Sequence, residues 1–320
     1  MNIPRILVSA LLASLVLAGP IAYAYGKPNT IIARVQVGGS PDGIIVDSTN
    51  GNVYVTDSAT NLVTVVSGST NAIATTLQIG SASGGGAFDA NSGNLYITNF
   101  LANTVSVVNG TSNVVIATIP VGTGPVRAAF DTRNLDVYVA DNGQGTVSVI
   151  DTPSNMVINT IFVGQGPAGL AFDSNNGDIY VANFNSNTVS IIDGSTDSII
   201  KTLVVGLQPN GVVFDPANGN VYVTNYGSGT VTTIADSTNA IMRTTVVGNS
   251  PEYIDFASTN RNIYASNRFS NTVSVISGRT GDVATTITVG SNPRGIAFDS
   301  RNRLMYVANN GDGTVSVIQT

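Results

Sequence analysis

Residues 52–57 read Asn-Val-Tyr-Val-Thr-Asp, and residues 220–225 read Asn-Val-Tyr-Val-Thr-Asn. The tyrosine of this stretch returns every 42 residues, at Tyr54, Tyr96, Tyr138, Tyr180, Tyr222, Tyr264 and Tyr306. A Val-Gly or Ile-Gly pair keeps the same period, from Val37 to Val289. Seven uninterrupted copies at one period indicate a repeat protein, in which each copy forms one structural unit.

Each copy contains four short strand-like runs separated by turn signals. In the fourth copy the runs are 169–173, 178–182, 188–192 and 198–204, and the first two flank a Ser-Asn-Asn-Gly turn. Four antiparallel strands in about 42 residues are typical of one propeller blade. Helical periodicity is missing, and a parallel β-helix has shorter coils without such hairpins. We therefore predict an all-β, seven-bladed β-propeller with four antiparallel strands per blade.

The two ends of the chain predict how the ring closes. Residues 27–320 number 294, which is seven times 42. After Val289 only three strand-like runs remain, and the missing fourth run stands at the other end, in residues 30–37. We expect residues 27–320 to form a single domain whose last blade is closed by the N-terminal strand, because pairing removes open sheet edges.

Residues 1–24 differ from the repeats. Arg5 is their only charge, 6–18 form a short apolar core, and Ala22-Tyr23-Ala24 gives an A-x-A cleavage pattern. This order is typical of a secretory signal peptide, and the alternative is a membrane anchor that is never cut. The apolar core is shorter than the ~20 residues that span a bilayer. We therefore predict a secreted or extracytoplasmic protein (cell surface or periplasm), with no transmembrane segment after cleavage.

Composition narrows the possible chemistry. The chain has 19 acidic and 13 basic residues without a basic cluster, which argues against nucleic-acid binding. It contains no histidine and no cysteine, which excludes Ser-His-Asp and Cys-His nucleophiles and the usual zinc, copper and haem ligands. Glu252 is the single glutamate. No catalytic set, metal site or cofactor is predicted, and an enzymatic activity is less expected than a binding role.

The repeats 52–57 and 220–225 resemble the YVTN β-propeller repeat family. Gly-Thr-Val follows the second of them at 229–231, and other copies have Gly-Thr-Val or Asn-Thr-Val at the same place. The resemblance covers residues 27–320. It implies a propeller fold and a cell-envelope context, since that family includes archaeal surface-layer proteins and periplasmic or secreted bacterial propellers. More distant propellers include lactonases, streptogramin lyases and haem or copper enzymes, so the resemblance implies no single reaction.

Residues that recur in every copy are interpreted as structural. The seven tyrosines are expected to pack between blades, with stacking against a ligand as the alternative. Aspartates such as Asp47 and Asp173 are expected to cap turns, with calcium binding as the alternative. The Asp57, Asn99 and Asn183 series is expected to shape the turn between the second and third strands.

Residues that depart from the repeat are the candidates for a site. The loop after each Val-Gly pair leads into the innermost strand, so its residues should lie near the mouth of the central channel. The candidate ligand-binding residues are Asp42, Arg127, Glu252, Tyr253, Arg268 and Arg294. Five of them belong to blades six, seven and one and could form one polar pocket. The alternative is that they are solvated loop residues with weak surface pairs.

Two functions of different classes remain open from the sequence. The first is a non-enzymatic binding or structural scaffold of the cell envelope: a surface-layer component, an adhesin or a ligand-binding module whose partners are envelope proteins or glycans. The second is a secreted lactonase- or lyase-like enzyme with an oxygen-ligated divalent ion at the channel mouth, for which Asp42 and Glu252 are the available ligands. The oligomeric state is not predicted.

Overall fold

The computed structural model describes residues 27–80 and 83–320, with the side chain of Ser83 left out. Within these ranges the protein is all-β and consists of seven four-stranded antiparallel sheets without a helix. No helix of the described residues is therefore long and apolar enough to cross a membrane. The predicted signal peptide, residues 1–24, lies outside the described residues.

The structure contains 28 strands, four to each blade. In chain order they are β1 (Thr30–Gln36), β2 (Pro41–Asp47), β3 (Asn52–Asp57), β4 (Leu62–Ser67), β5 (Ala72–Gln78), β6 (Ser83–Asp89), β7 (Asn94–Asn99), β8 (Thr104–Asn109), β9 (Val114–Pro120), β10 (Pro125–Phe130), β11 (Asp136–Asp141), β12 (Thr146–Asp151), β13 (Met156–Phe162), β14 (Pro167–Phe172), β15 (Asp178–Asn183), β16 (Thr188–Asp193), β17 (Ser198–Val204), β18 (Pro209–Asp215), β19 (Asn220–Asn225), β20 (Thr230–Ala235), β21 (Ala240–Val246), β22 (Pro251–Ala257), β23 (Asn262–Asn267), β24 (Thr272–Ser277), β25 (Val283–Thr288), β26 (Pro293–Asp299), β27 (Leu304–Asn309) and β28 (Thr314–Gln319).

Blades one to six are built from consecutive strands, from β2–β5 to β22–β25, and blade seven combines β26–β28 with β1. Strand β1 runs antiparallel to β28, with Val35 opposite Val315. The backbone N–H of Asn29 extends this pairing by donating to the carbonyl of Gln319 at 2.7 Å. The predicted seven-bladed fold and its closure by the N-terminal strand are confirmed.

The hydrophobic core lies between neighbouring blades. The second and third strands of each blade are buried on both faces, whereas the fourth strand is mostly exposed and forms the outer rim. The tyrosine rings are fully buried, and several hydroxyls reach the next blade: Tyr54 Oη donates to Asn113 Oδ1 at 2.7 Å and Tyr306 Oη to Asn71 Oδ1 at 2.9 Å. These rings hold blades together and are closed to a ligand.

The recurring polar residues also have structural partners. Asp47 Oδ1 accepts hydrogen bonds from the backbone N–H groups of Thr49 and Asn50, as expected of a turn-capping aspartate. At the end of β15, Asn183 Nδ2 donates to Thr188 Oγ1 at 3.1 Å and to Ser190 Oγ at 2.9 Å. This asparagine therefore joins the second strand of its blade to the third across the turn between them.

Candidate functional site

The candidate residues lie at a β-bulge at the beginning of the innermost strands. In blade six, Pro251 pairs with Asn267 and Ile254 with Ala265, so both Glu252 and Tyr253 lie opposite the single residue Ser266. The inner strands of the other blades show the same shift after their first residue. A bulge changes the direction of side chains at a strand end, which is why bulges are frequent beside binding sites.

Hydroxyl groups of the second strands hold this bulge in place. Ser266 Oγ accepts from the N–H of Tyr253 at 3.1 Å and donates to the carbonyl of Arg294, in the next blade, at 2.6 Å. Thr224 Oγ1 donates to the carbonyl of Glu252 at 3.1 Å, again from one blade to the next. The backbone that carries three of the candidate residues is thus fixed by bonds between neighbouring blades.

Two ion pairs link the candidates of blades six, seven and one. Arg294 Nη1 lies 3.0 Å from Asp42 Oδ2, and the two side chains are 20% and 15% exposed. Arg268 Nη1 lies 3.6 Å from Glu252 Oε2, with 26% and 11% exposure. Because these groups are largely removed from water, their charges interact more strongly than those of a surface pair. The expectation of freely solvated loop residues does not describe them.

Arg127 reaches this group from blade three. Its guanidinium carbon lies 3.4 Å from the centre of the Tyr253 ring, which is within the range of a cation–π contact. Its Nη1 also donates to the carbonyl of Asn210, in blade five, at 3.1 Å. Arg127 therefore extends over the channel axis and joins blades three, five and six.

The bulge explains why Arg127 meets Tyr253. The two residues occupy equivalent positions, and the other five blades have glycine there: Gly43, Gly85, Gly169, Gly211 and Gly295. A Cβ on Gly169 would lie 2.2 Å from the Asn210 carbonyl, which shows how closely the inner strands approach one another. The two exceptions to glycine among the seven blades are thus in contact with each other.

The mouth of the channel contains a cavity of about 490 Å³. Four of the six candidates line it, namely Asp42, Arg127, Glu252 and Tyr253, and the remaining two, Arg268 and Arg294, pair with its carboxylates. The rest of the wall includes the amide side chains of Asn142, Asn185 and Asn210 and the rings of Phe100 and Phe184. The volume falls within the ~300–1,000 Å³ of small-molecule sites.

An arc of aromatic rings continues from the cavity over the same face. The ring centres of Phe184 and Tyr226 are 5.9 Å apart, and those of Tyr226 and Phe269 are 6.2 Å apart. Phe100 and Phe269 are 40% and 56% exposed. Exposed rings in a row beside a cavity offer a flat apolar surface to a ligand.

Burial alters the acid–base properties of the site. It raises the pKa of Glu252, an effect that Arg294 partly offsets and that Asp42 increases. Burial also raises the pKa of the Tyr253 hydroxyl to about 12. For Arg294 burial acts to lower the pKa, but the carboxylates of Asp42 and Glu252 outweigh it and the net pKa is raised. Arg294 therefore stays charged, whereas Glu252 ionises less readily than a solvated glutamate.

Several polar atoms of the site are buried without a hydrogen-bond partner. They are Asn210 Oδ1, Glu252 Oε2, Arg268 Nε and Arg294 Nε. Other unpartnered atoms of the described residues belong to repeated positions such as Asn183 and Asp173, which are dispersed around the ring. Buried polar groups normally find partners, so these atoms leave the group of charges at the mouth incompletely hydrogen-bonded. Of the four residues, Asn210 and Glu252 line the cavity.

The contacts of the carboxylates do not favour a cation. Asp42 and Glu252 each face a guanidinium group. Among the described residues no three acidic side chains come together in a way that could hold a metal ion. A guanidinium beside each carboxylate repels a divalent cation and attracts an anion.

Sequence reasoning missed the aromatic part of the site and one carboxylate of the inner strands outside the cavity. Phe100, Phe184 and Tyr226 directly follow the repeated Asp or Asn, at the variable position where blade six has Arg268. Comparing that one position across the copies would have revealed the arc. The second is Asp255, whose carboxylate accepts from the backbone N–H of Phe298 at 2.7 Å.

Comparison with known proteins supports the fold. A family model described as "YNCE-like beta-propeller" matches residues 165–318, just under half of the chain. This match and the seven blades support a β-propeller family. The narrower YVTN-repeat assignment stays a prediction. No curated protein matches the chain significantly.

Two solved structures illustrate the likeness. A chain of the hydrazine synthase of Kuenenia stuttgartiensis is 17% identical, with a TM-score of 0.79 over 88% of this chain and 96% of that chain. A chain from a mitotic checkpoint complex is 14% identical, with a TM-score of 0.81 over 99% of both chains. At such identities the likeness concerns the fold alone.

Proposed function

We propose that this protein is an exported, non-enzymatic binding propeller and that its ligand site is the channel mouth. The observation that carries the proposal is the cavity of about 490 Å³ at the channel mouth, whose wall includes Asp42, Arg127, Glu252 and Tyr253. A rigid ring that holds charged and polar side chains around one cavity is preorganised for a ligand that bonds to them. The repeat itself does not require these residues, since other blades lack them.

The site suits binding better than turnover. No cysteine or histidine is present in the chain to act as a nucleophile or general base. Asp42 and Glu252 are each engaged by an arginine, so the divalent-ion enzyme considered from the sequence gains no support from these contacts. We therefore prefer a scaffold of the cell envelope, with the extracytoplasmic location resting on the signal-like residues 1–24 and the partners being envelope glycans or proteins.

A glycan array tests the site directly. The labelled protein should bind a subset of immobilised envelope glycans. Arg294→Ala should abolish that binding and Glu252→Gln should change it, while both variants still unfold cooperatively. Arg301→Ala is the matched control, because Arg301 bonds the Thr49 carbonyl in the turns between first and second strands, away from the mouth. Wild-type binding by both mouth variants would show that the ligand site lies elsewhere.

A further inference from the structure

The channel mouth has an excess of positive charge, although the chain as a whole has a formal net charge of −6. Among the residues that the structure describes, the ion pairs of this group involve two carboxylates, those of Asp42 and Glu252, against the three guanidinium groups of Arg127, Arg268 and Arg294. The two ion pairs use Arg268 and Arg294, so the charge left over is that of Arg127. One unbalanced guanidinium in a partly buried site is neutralised by a single negative charge.

The next carboxylate of blade six does not balance this charge. Asp255 accepts hydrogen bonds from the backbone N–H groups of Phe256 and Phe298, at 2.8 and 2.7 Å. It forms no ion pair with an arginine of the mouth in the part of the chain that the structure describes. Its role is to bridge the inner strands of blades six and seven.

Arg127 has further N–H groups that can donate to a ligand. A guanidinium carries five N–H groups, and one of those of Arg127 is bonded to the Asn210 carbonyl. The group lines the cavity and is held over the Tyr253 ring. A planar guanidinium held in this way matches the two oxygens of a carboxylate, which it binds through paired hydrogen bonds.

The other residues of the cavity wall indicate the chemistry of the rest of the ligand. Asn142, Asn185 and Asn210 offer amide groups, which can both donate to and accept from hydroxyls. Phe184 offers an apolar ring in the same cavity, and Tyr226 extends that surface. A ligand that presents an apolar face, several hydroxyls and one carboxylate therefore complements the site, and these are the features of an acidic sugar ring.

We infer that the channel mouth binds a uronic acid or a saccharide ending in one, with its carboxylate on Arg127, its hydroxyls on the asparagine amides and its ring face against Phe184. The inference rests on the proposed function and specifies its ligand. A dianionic ligand fits less well, because Glu252 lies within the same group of charges and repels a second negative charge.

Calorimetric titration with glucuronate and with glucose, on the full protein, tests this assignment. Glucuronate should bind at least roughly tenfold more tightly than glucose, since a charge-assisted hydrogen bond is lost with the carboxylate. Arg127→Gly should remove this preference and leave the melting curve cooperative, because five blades already carry glycine at that position. Arg243→Gln, which breaks an exposed ion pair with Asp282, should bind glucuronate as the wild type does.

The pH dependence gives a second readout. Glu252 faces Arg294, Asp42, Arg127 and Arg268, and burial raises its pKa. Bringing an anion beside it favours its protonated form further, so glucuronate affinity should increase as the pH falls toward the pKa of Glu252, until the sugar carboxylate is itself protonated. In Glu252→Gln this increase should be absent, whereas glucose binding should not depend on pH in either protein.

The outcomes separate the two proposals. Equal affinity for glucose and glucuronate, or a preference that persists in Arg127→Gly, would overturn the carboxylate assignment. If neither sugar binds but the array yields another ligand that Arg294→Ala loses, the assignment is wrong while the binding function stands. Absence of any ligand sensitive to Glu252→Gln or Arg294→Ala would refute both.

Discussion

Asp141 occupies a position at which five blades carry asparagine, and the difference should be measurable as stability. In those blades the amide donates to two hydroxyls of the third strand, as Asn225 does to Thr230 and Thr232. Asp141 is fully buried and accepts instead, from Thr146 Oγ1 at 3.1 Å and Ser148 Oγ at 2.7 Å. Its Oδ1 has no partner. A buried carboxylate oxygen without a partner is more costly than an amide oxygen.

The size of the stability difference follows from the acid–base equilibrium of Asp141. Burial, only partly offset by the hydrogen bonds from Ser148 and Thr146, raises its pKa from 3.8 to about 6. A shift of about two units corresponds to roughly 3 kcal/mol between the two protonation states. Because the folded-state pKa is the higher one, protonation stabilises the fold. That stabilisation is complete below pH 3.8 and is lost as the pH rises through about 6.

We therefore expect Asp141→Asn to raise the free energy of unfolding by up to about 3 kcal/mol at pH 7.5 and by only about 1 kcal/mol at pH 4.5. Urea unfolding at both pH values measures the difference, and the other buried carboxylates cancel because both proteins contain them. Asn225→Asp is the matched control and should be destabilising mainly at pH 7.5. A gain for Asp141→Asn that is equal at the two pH values, or no gain at pH 7.5, would refute the reasoning.

Ring closure and export lead to two further predictions. Deleting residues 27–36 removes β1 and leaves β28 with an open edge. The denaturation midpoint should therefore fall far more than in a control that lacks only residues 27–28. Equal midpoints for the two truncations would contradict closure through β1. If residues 1–24 direct export, protease added to intact cells or to the periplasmic fraction should digest the protein, and its complete protection within the cytosol would refute the proposed location.

The fold could be predicted from the sequence because the same pattern of strand and turn residues recurs in all seven copies. A single Tyr54 says little, but seven tyrosines at one spacing show that each blade needs a large side chain against the next one. The position of Thr30–Gln36 in the last blade followed from counting strands, since the ring has no other source for its fourth strand. Local sequence was sufficient here because every contact that defines the fold is repeated between neighbouring blades.

The site could be predicted only as a set of positions. Asp42, Glu252 and Arg294 occupy equivalent positions of their repeats, so a ring of equal blades places them at the same level along the channel axis. Which side chains touch depends on distances across the channel, and these are a property of the closed ring. The contact of Arg127 with Tyr253 joins blades that lie three apart and share no strand pairing.

The glycines at the equivalent positions of the other blades nevertheless point to that contact. At the bulge, four of the five glycines have no room for a side chain, because a Cβ there would lie under 3 Å from the backbone of the next blade. They are Gly43, Gly169, Gly211 and Gly295. Replacing that glycine in one blade introduces a large side chain at the centre of the ring. Arg127 and Tyr253 are the two replacements, and the guanidinium carbon of Arg127 lies 3.4 Å from the centre of the Tyr253 ring. In a closed ring of repeats, paired exceptions to an inner glycine thus indicate contact across the channel, and the arginine of this pair is the group to which we assign the ligand carboxylate.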